Sequence, residues 1–354
     1  MSPENRINIK LGELFCGPGG IGLGAKLANV DGIHIEHIWA SDCDKDACKT
    51  YETNLKPHKV ICEDIRKLNL ISLKKYGIID CLSFGFPCND FSSIGEKLGL
   101  NGSFGRLYEY CVKTLELLKP KYFIAENVSG LKNANEGIAF SKILNELRLA
   151  GYKLFPNLYQ FEKYGIPQKR HRMIIIGIRN DIDIDFLIPS FKPYKDIDIS
   201  AEKALSDIPL DSFNNERTLQ SAVVIERLTY IKPGENAFTA NLPDHLKLNV
   251  KGAKISQIYK RLKPNEPAYT ITGSGGGGTH VYHWSENRAL TNRERARLQT
   301  FTDDYFFCGT KESVRKQIGM AVPPKGMKII FESLLKTILK IPYETMEANL
   351  KDVQ

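Results

Sequence analysis

A proline-cysteine pair at Cys88 is the first candidate for chemistry in this chain. The segment IIDCLSFG predicts a buried strand, and FPCNDFS follows it directly, so Cys88 is expected on a loop at the carboxyl end of that strand. A thiol is a nucleophile only as a thiolate, which the start of a helix near Asp90 and nearby arginines would favour. Considered alone, a Pro-Cys pair is more often buried structure, so the residues around Cys88 must decide.

A glutamate holds the corresponding place after another strand. The segment KYFIAEN predicts a strand that ends at the sequence AENV, where Glu126 would project beside Cys88 across the edge of a parallel sheet. A carboxylic acid there could protonate or hydrogen-bond a ring nitrogen. Taken singly, a glutamate at this position is more often an ordinary surface carboxylate.

A glycine-rich turn, ELFCGPGGIGLG, follows the first predicted strand and begins a helix. Gly17, Gly19 and Gly20 would let backbone N–H groups approach a ligand closely. Asp42 ends the next strand, where a carboxylate can accept both hydroxyls of a ribose, and Asp64 could accept an adenine amino group. Such turns also serve nicotinamide enzymes or close a turn only, and either aspartate could instead cap a helix.

The elements that must position these groups alternate between strands and helices in the first half of the chain. Strands are predicted at INIKLGELF, IHIEHIWAS, IIDCLSFG, KYFIAEN and RMIIIGIRN, with helical patterns between them. This alternation predicts an α/β fold with a doubly wound parallel sheet. From about residue 181 the chain becomes rich in Asp, Pro and Gly. We therefore predict a catalytic and cofactor-binding domain at 1–180 plus 288–354, and a smaller inserted domain at 181–287.

Composition excludes several classes of protein and favours a polyanionic partner. No apolar run approaches a membrane span, and eight cysteines without a CxxC pair or ligand-spaced histidines predict neither a disulfide framework nor a metal site. The net charge of +8 is modest. Residues 245–265 nevertheless contain no acidic residue, which suits phosphate contact as well as a plain solvated surface. The basic residues of that stretch are Lys247, Lys251, Lys254, Lys260, Arg261 and Lys263.

The order of the motifs resembles the bacterial DNA cytosine-5 methyltransferases. The series LFCGPGG, SDCD, EDI, GFPCND, AENV, QKRHR, RALTNRERARLQTF and GMAVPP extends over nearly the whole chain outside 181–287. The resemblance implies a Rossmann-like fold that uses S-adenosylmethionine, with the insert as target-recognition domain. It implies Cys88 as nucleophile, Glu126 as the partner of the cytosine ring and Arg172 beside the flipped base.

The resemblance also assigns residues to the cofactor and to DNA. The expected cofactor residues are Phe15, Gly17, Gly19, Gly20, Asp42, Cys43, Asp64, Ile65, Pro87 and Val322. The expected DNA contacts are Asn89, Ser92, Arg170, Lys254, Lys260, Arg261 and Thr270. The chain departs from the family pattern at Asn89 (usually Gln), at Phe104-Gly105-Arg106-Leu107 (usually Arg-Gly-x-Leu) and at Met320 (usually Asn).

What the resemblance implies about function is specific. The protein would methylate C5 of a cytosine flipped out of a specific double-stranded DNA sequence, through a covalent Cys88 adduct at C6. It would act as a cytoplasmic bacterial enzyme of a restriction-modification system, as a monomer on DNA, with a cognate restriction endonuclease acting separately. The alternatives are a tRNA cytosine-5 methyltransferase, a nicotinamide-dependent oxidoreductase and a catalytically silent DNA-binding module.

Overall fold

The chain folds into two compact units. The computed structural model describes residues 7–86, 107–131, 137–249, 256–273, 275 and 278–350. The first unit comprises Met1–Gln160, His171–Pro193 and Pro324–Gln354, and the second comprises Phe161–Arg170 and Tyr194–Pro323. Among the described residues, no helix is both long and apolar enough to cross a membrane.

A seven-stranded sheet forms the centre of the first unit, in the order β3-β2-β1-β4-β5-β8-β6. The first five strands in that order are parallel, whereas β8 runs antiparallel to both β5 and β6. The strands are β1 (Ile7–Leu14), β2 (Ile33–Asp42), β3 (Lys59–Cys62), β4 (Cys81–Phe84), β5 (Tyr122–Val128), β6 (Tyr152–Gln160) and β8 (His171–Arg179). The predicted doubly wound, Rossmann-like fold is confirmed, except that β8 runs antiparallel to the other six strands of the sheet.

Helices cover both faces of this sheet. One face and its helices share a core of buried side chains that includes Leu14, Trp39, Phe84, Leu115 and Leu144. In the other layer α9 packs on α1 so closely that a Cβ at Gly24 would lie 2.4 Å from the Cβ of Met327. The helices of this unit are α1 (Gly20–Leu27), α2 (Lys45–Leu55), α3 (Leu107–Leu118), α4 (Ile138–Leu149) and α9 (Pro324–Ile338).

The end of the chain closes the outer edge of the first unit. Strand β11 (Thr345–Met346) pairs antiparallel with β9 (Ile188–Pro189). The side chain of Asn349 then accepts a hydrogen bond from the Leu158 N–H and donates one to the Leu158 carbonyl, both at 2.8 Å. This amide therefore occupies hydrogen-bonding groups of the edge strand β6 that would otherwise be open to another chain.

The second unit has short elements and contains buried arginines beside an apolar core that includes Leu228 and Tyr282. Arg293 is fully buried and donates hydrogen bonds to the carbonyls of Phe213, Thr302 and Tyr305 at 2.6–2.9 Å. The elements of this unit are β7 (Gln168–Lys169), α5 (Ala201–Leu205), α6 (Ala222–Thr229), β10 (Ala268–Tyr269), α7 (Asn292–Leu298) and α8 (Lys311–Met320).

The boundaries of the units differ from the predicted domain boundaries. Residues 161–170 and 288–323 belong to the second unit, and the return to the first unit begins at Pro324. The reason is specific packing: α7 contacts α5, and its Arg293 binds carbonyls on both sides of it along the chain. The charged pattern around α7 correctly predicts a helix, but it does not reveal which of the two units the helix packs in.

Gly177 of β8 offers a test of this packing. A Cβ at Gly177 would lie 1.9 Å from Cε1 of Phe123, which is fully buried and stacks on Phe84. We expect Gly177→Ala to lower the free energy of unfolding by about 1–3 kcal/mol, because overpacking forces the ring to move. Urea denaturation monitored by circular dichroism measures the change.

A double-mutant cycle separates this clash from a general effect of alanine in the strand. In a Phe123→Leu background the smaller side chain leaves room for the new methyl group. Gly177→Ala should then cost clearly less than in the wild-type background. Equal costs in the two backgrounds would contradict the packing explanation.

Candidate active site

The carboxyl ends of β1, β4 and β5 lie side by side. In register, Leu14 of β1 faces Phe84 of β4, and Phe84 faces Ala125 of β5. The strand order reverses between β1 and β4, the position where open α/β sheets bind ligands. The glycine-rich turn, the segment leading to Cys88 and the glutamate segment therefore all leave the sheet at this point.

The glycine-rich turn has the backbone conformation that its sequence predicts. Phe15, Gly17 and Gly19 all have positive φ, at 53°, 51° and 91°. Helix α1 follows, and its N-cap residue is Gly19. A glycine has no side chain that could accept a hydrogen bond from the N–H groups of the first turn. A Cβ at Gly17 would meet no atom within 4 Å. The open space at Gly17, close to the start of α1, leaves room for a ligand beside the helix N-terminus.

Asp42 organises this turn from the end of β2. Its Oδ2 accepts a hydrogen bond from the Gly17 N–H at 2.8 Å, and its Oδ1 accepts one from the Asp44 N–H at 2.9 Å. Burial raises the pKa of Asp42, and these two N–H groups oppose the shift. A carboxylate has about four acceptor sites, so the bonds leave capacity for ribose hydroxyls.

Asp64 lies near Asp42 but is already paired. The Arg66 guanidinium and N–H donate hydrogen bonds to its carboxylate and hold the pKa of Asp64 at about 2. Both aspartates are close enough to Cys43 to raise the pKa of its thiol further, after the larger effect of burial. Ile65 is buried next to Asp64. The predicted residues of β2 and β3 are thus brought together, with Arg66 as a partner that sequence reasoning missed.

Glu126 and Arg172 form an ion pair at the end of β5. The Arg172 Nε lies 2.7 Å from Glu126 Oε1, and the two side chains are only 13% and 16% exposed. Arg172 reaches the glutamate from β8, where it is the register partner of Val128. A partly buried, paired carboxylate of this kind is oriented rather than free to rotate.

The next residue, Asn127, ties the glutamate strand to the segment that precedes Cys88. Its buried side chain donates a hydrogen bond to the Phe86 carbonyl at 3.2 Å. Gly85 lies against the glutamate itself, because a Cβ there would be 3.0 Å from Glu126 Oε2. The other predicted residues of this segment, Pro87, Cys88, Asn89 and Ser92, lie outside the described residues, as does Phe104.

Two arginines predicted to contact DNA have structural roles instead. Arg170 is 1% exposed and donates hydrogen bonds to the carbonyls of Ile271 and Gly319, both at 3.0 Å. Arg261 is 3% exposed and donates to the carbonyls of Leu228 and His283 at 2.6–2.7 Å. Both predictions are corrected for the same reason, since guanidinium groups that are buried and bonded to backbone carbonyls are not available to phosphates.

The remaining predicted residues of the second unit have mixed environments. The Lys260 ammonium lies 4.8 Å from the centroid of the Tyr269 ring, and Thr270 donates a hydrogen bond to the Lys169 carbonyl at 2.6 Å. Val322 is buried, whereas Met320, where the family usually has Asn, is 64% exposed. Lys254 lies outside the described residues.

One acidic residue near the turn was not singled out from the sequence. Glu13 of β1 is 1% exposed and accepts a hydrogen bond from the Ser83 hydroxyl at 3.1 Å. A charged residue between the apolar Leu11 and Leu14, at the buried end of the strand, is the signal that could have identified it. Among the described residues, no group of three or more His, Cys, Asp or Glu side chains could hold a metal ion.

Comparison with known proteins is consistent with this arrangement. The family model for C-5 cytosine-specific DNA methylase matches residues 9–336. The Type II methyltransferase M.BbvI of Brevibacillus brevis is 54% identical over 97% of this chain and 95% of its own length. The Type II methyltransferase M.NgoFVII of Neisseria gonorrhoeae is 40% identical over 98% of this chain and 91% of its own length.

A solved structure shares the fold. It is of an E. coli prophage protein described as a DNA modification methyltransferase, with a TM-score of 0.73 at 23% identity, over 94% of this chain and 99% of that one. Because the family model spans most of the sequence and M.BbvI matches it at 54% identity, the chain belongs to the C-5 cytosine-specific DNA methylases and is a DNA (cytosine-5-)-methyltransferase.

Proposed function

We propose that this enzyme transfers a methyl group from S-adenosylmethionine to C5 of a flipped-out cytosine in a specific duplex DNA sequence, through a covalent Cys88 adduct at C6. The observation that carries the proposal is the pair of contacts made at the end of β5. Glu126 is held by Arg172, and Asn127 binds the carbonyl of Phe86, two residues before Cys88. The glutamate and the segment that bears the thiol are therefore constrained by consecutive residues.

The reaction needs a nucleophile because C5 of cytosine is too electron-poor to take a methyl group unaided. Addition of the Cys88 thiolate at C6 forms an S–C bond and shifts electron density to C5. After C5 is methylated, transfer of its proton to a water molecule regenerates the C5–C6 double bond and breaks the S–C6 bond, which expels the thiolate. Atoms and charge balance, since one methyl group replaces one proton.

Glu126 and Arg172 would stabilise the adduct at the opposite edge of the ring. Glu126 would hydrogen-bond N3 and the exocyclic amine, where electron density rises when the thiolate adds. The Arg172 guanidinium, 2.7 Å from Glu126 Oε1, fixes the orientation of the carboxyl. An interaction that strengthens as the ring gains charge lowers the free energy of the transition state more than that of the bound substrate, so it speeds the reaction.

The residues present fit S-adenosylmethionine, which supplies the methyl group when bound. The left-handed turn from Phe15 to Gly19 leaves open space above Gly17, and Asp42 retains acceptor capacity beside it. Gly20 begins α1 at the same place. We propose that Phe15 and the glycines hold the methionine and adenosine, that Asp42 and Cys43 lie at the ribose, and that Asp64 and Ile65 flank the adenine. We also retain Pro87 and Val322 as pocket residues.

The second unit is proposed as the target-recognition part of the enzyme, with duplex DNA as the substrate. Extraction of a base from the stack costs a few kcal/mol, which DNA contacts must offset. The proposed contacts are Asn89, Ser92, Lys254, Lys260 and Thr270.

The rival substrate, tRNA, is less well supported, because the relatives M.BbvI and M.NgoFVII are Type II methyltransferases. Parallel methylation assays on duplex DNA and tRNA distinguish the two substrates.

The covalent mechanism predicts a trapped adduct. With DNA whose target cytosine carries fluorine at C5, no proton can leave after methylation, so Cys88 should stay bound to the base. Cys88→Ser should form no adduct, because a hydroxyl is a far weaker nucleophile near neutral pH. A denaturing gel with labelled DNA and S-adenosylmethionine measures the product.

The matched control is Cys62→Ser, which changes a cysteine that is exposed at the end of β3. This variant should form the adduct as the wild-type enzyme does. An enzyme that methylates its site but gives no stable adduct, or an adduct that persists in Cys88→Ser, is incompatible with the mechanism.

The position of Glu126 predicts an effect at Gly85. A methyl group on Gly85 would lie 3.0 Å from Glu126 Oε2 and push the carboxyl away from its pairing geometry. We expect Gly85→Ala to lower kcat by about tenfold to a hundredfold, as small misplacements of reacting groups do. The Kd for S-adenosylmethionine should change little. Single-turnover kinetics and calorimetry measure the two quantities, and an unchanged kcat would argue against the role of Glu126.

The basic stretch predicts a salt effect. Lys254→Ala with Lys260→Ala should weaken binding to all DNA sequences similarly and reduce the slope of log K against log salt by about two, since each phosphate contact contributes roughly 0.9. Arg261 is left intact because it is buried. Lys142→Ala, on an exposed position of α4, is the control. Fluorescence anisotropy at several salt concentrations gives the slope, and an unchanged slope refutes these contacts.

A further inference from the structure

Glu13 is a buried acid at the junction of the two strands that lead to the proposed cofactor site and to Cys88. It is 1% exposed, and its register partner on β4 is Ser83, which is fully buried. The Ser83 hydroxyl donates a hydrogen bond to Glu13 Oε2 at 3.1 Å. The other oxygen, Oε1, is buried and makes no hydrogen bond within the described part of the chain.

The surroundings of Glu13 disfavour its negative charge. Burial raises its pKa to about 8, although the Ser83 hydroxyl, the Gly22 N–H and the Tyr51 phenol oppose the shift. Asp42 raises it further by repulsion. Among the described residues, the titratable groups that interact with the carboxyl are acids. They are Asp42 at the end of β2, Tyr51 of α2, Cys16 just after β1 and Cys81 of β4.

Carboxyl groups contact this segment at two places, Asp42 at the Gly17 N–H and Glu13 at the Gly22 N–H in the first turn of α1. Asp42 accepts the Gly17 N–H, which suits a carboxylate. Glu13 lies below the first turn of α1, near Gly22, and links β1 to β4 through Ser83. A second negative charge at Glu13 would repel Asp42, and it would need water that the packing of α1 and α2 excludes.

We infer that Glu13 is a positioning residue whose neutral form holds the start of α1 against β4, and thereby keeps the preceding turn from Phe15 to Gly20 in its ligand-binding conformation. The inference rests on the proposed function, in which this turn binds S-adenosylmethionine. Glu13 would touch neither cofactor nor substrate. It acts through the Gly22 N–H in the first turn of α1 and through Ser83.

Binding of S-adenosylhomocysteine as a function of pH tests the inference. This probe has no charge on sulfur, so direct attraction to an ionised Glu13 is minimised. If binding needs the neutral acid, the Kd of the wild-type protein should rise above pH 8, approaching tenfold for each further pH unit. Glu13→Gln keeps the shape without the ionisation and should lack this rise. Calorimetry between pH 6.5 and 9.5 measures the Kd of the wild-type protein and of Glu13→Gln at each pH. Because titration of the probe itself affects both Kd values equally, it cancels in their ratio.

Two further variants make the result decisive. Glu116→Gln, at an exposed position of α3, should follow the wild-type profile. Ser83→Ala removes a hydrogen bond that lowers the pKa of Glu13, so the rise in Kd should move to higher pH. Ser83→Ala also decides the matter if Glu13→Gln does not fold.

The outcomes separate this inference from the proposed function. Parallel pH profiles for wild type and Glu13→Gln, or an unmoved profile in Ser83→Ala, would overturn the role of Glu13 while leaving the cofactor proposal intact. Failure of every variant to bind the probe at any pH would overturn the proposed cofactor and this inference with it.

Discussion

The parallel pairing of β1 with β4 is the constraint on which the candidate site depends. These strands are distant in sequence, yet their register places Leu14 opposite Phe84 at the point where the strand order reverses. Everything that leaves the sheet there, the glycine turn on one side and the segment toward Cys88 on the other, starts from adjacent backbones. A ladder of backbone hydrogen bonds fixes that separation more rigidly than contacts between loops could.

Carboxyl groups around this junction differ in state because their partners differ. Asp64 has an arginine and stays ionised, with a pKa of about 2. Asp42 is buried, which raises its pKa, and backbone N–H groups oppose that shift. Burial, together with repulsion from Asp42, raises the pKa of Glu13 to about 8. Three acids near one turn can therefore serve as a charged group paired with arginine, a buried carboxyl that binds the turn and a buried link between strands.

The arginines of this chain also have two different roles. In the second unit Arg170, Arg261 and Arg293 are buried and bind backbone carbonyls that lie far away in sequence. The guanidinium supplies five donors in a fixed plane, so one side chain can satisfy carbonyls from several segments that lack regular secondary structure. Arg172, two residues after Arg170 but part of the first unit, instead pairs with Glu126 of the same unit.

Local sequence determined five of the seven strands of the large sheet, the glycine turn and the order of the motifs, because strand periodicity and turn conformation depend on neighbouring residues. It also identified the family, since the motifs are contiguous. Only the tertiary structure decided that Arg170 and Arg261 face carbonyls, that residues 288–323 pack with the second unit, and that Glu13 meets Ser83. Each of these depends on segments separated by tens of residues or more, whose meeting follows from the packing of the whole chain. A basic side chain has the same letter in a sequence whether it binds a phosphate or a buried carbonyl.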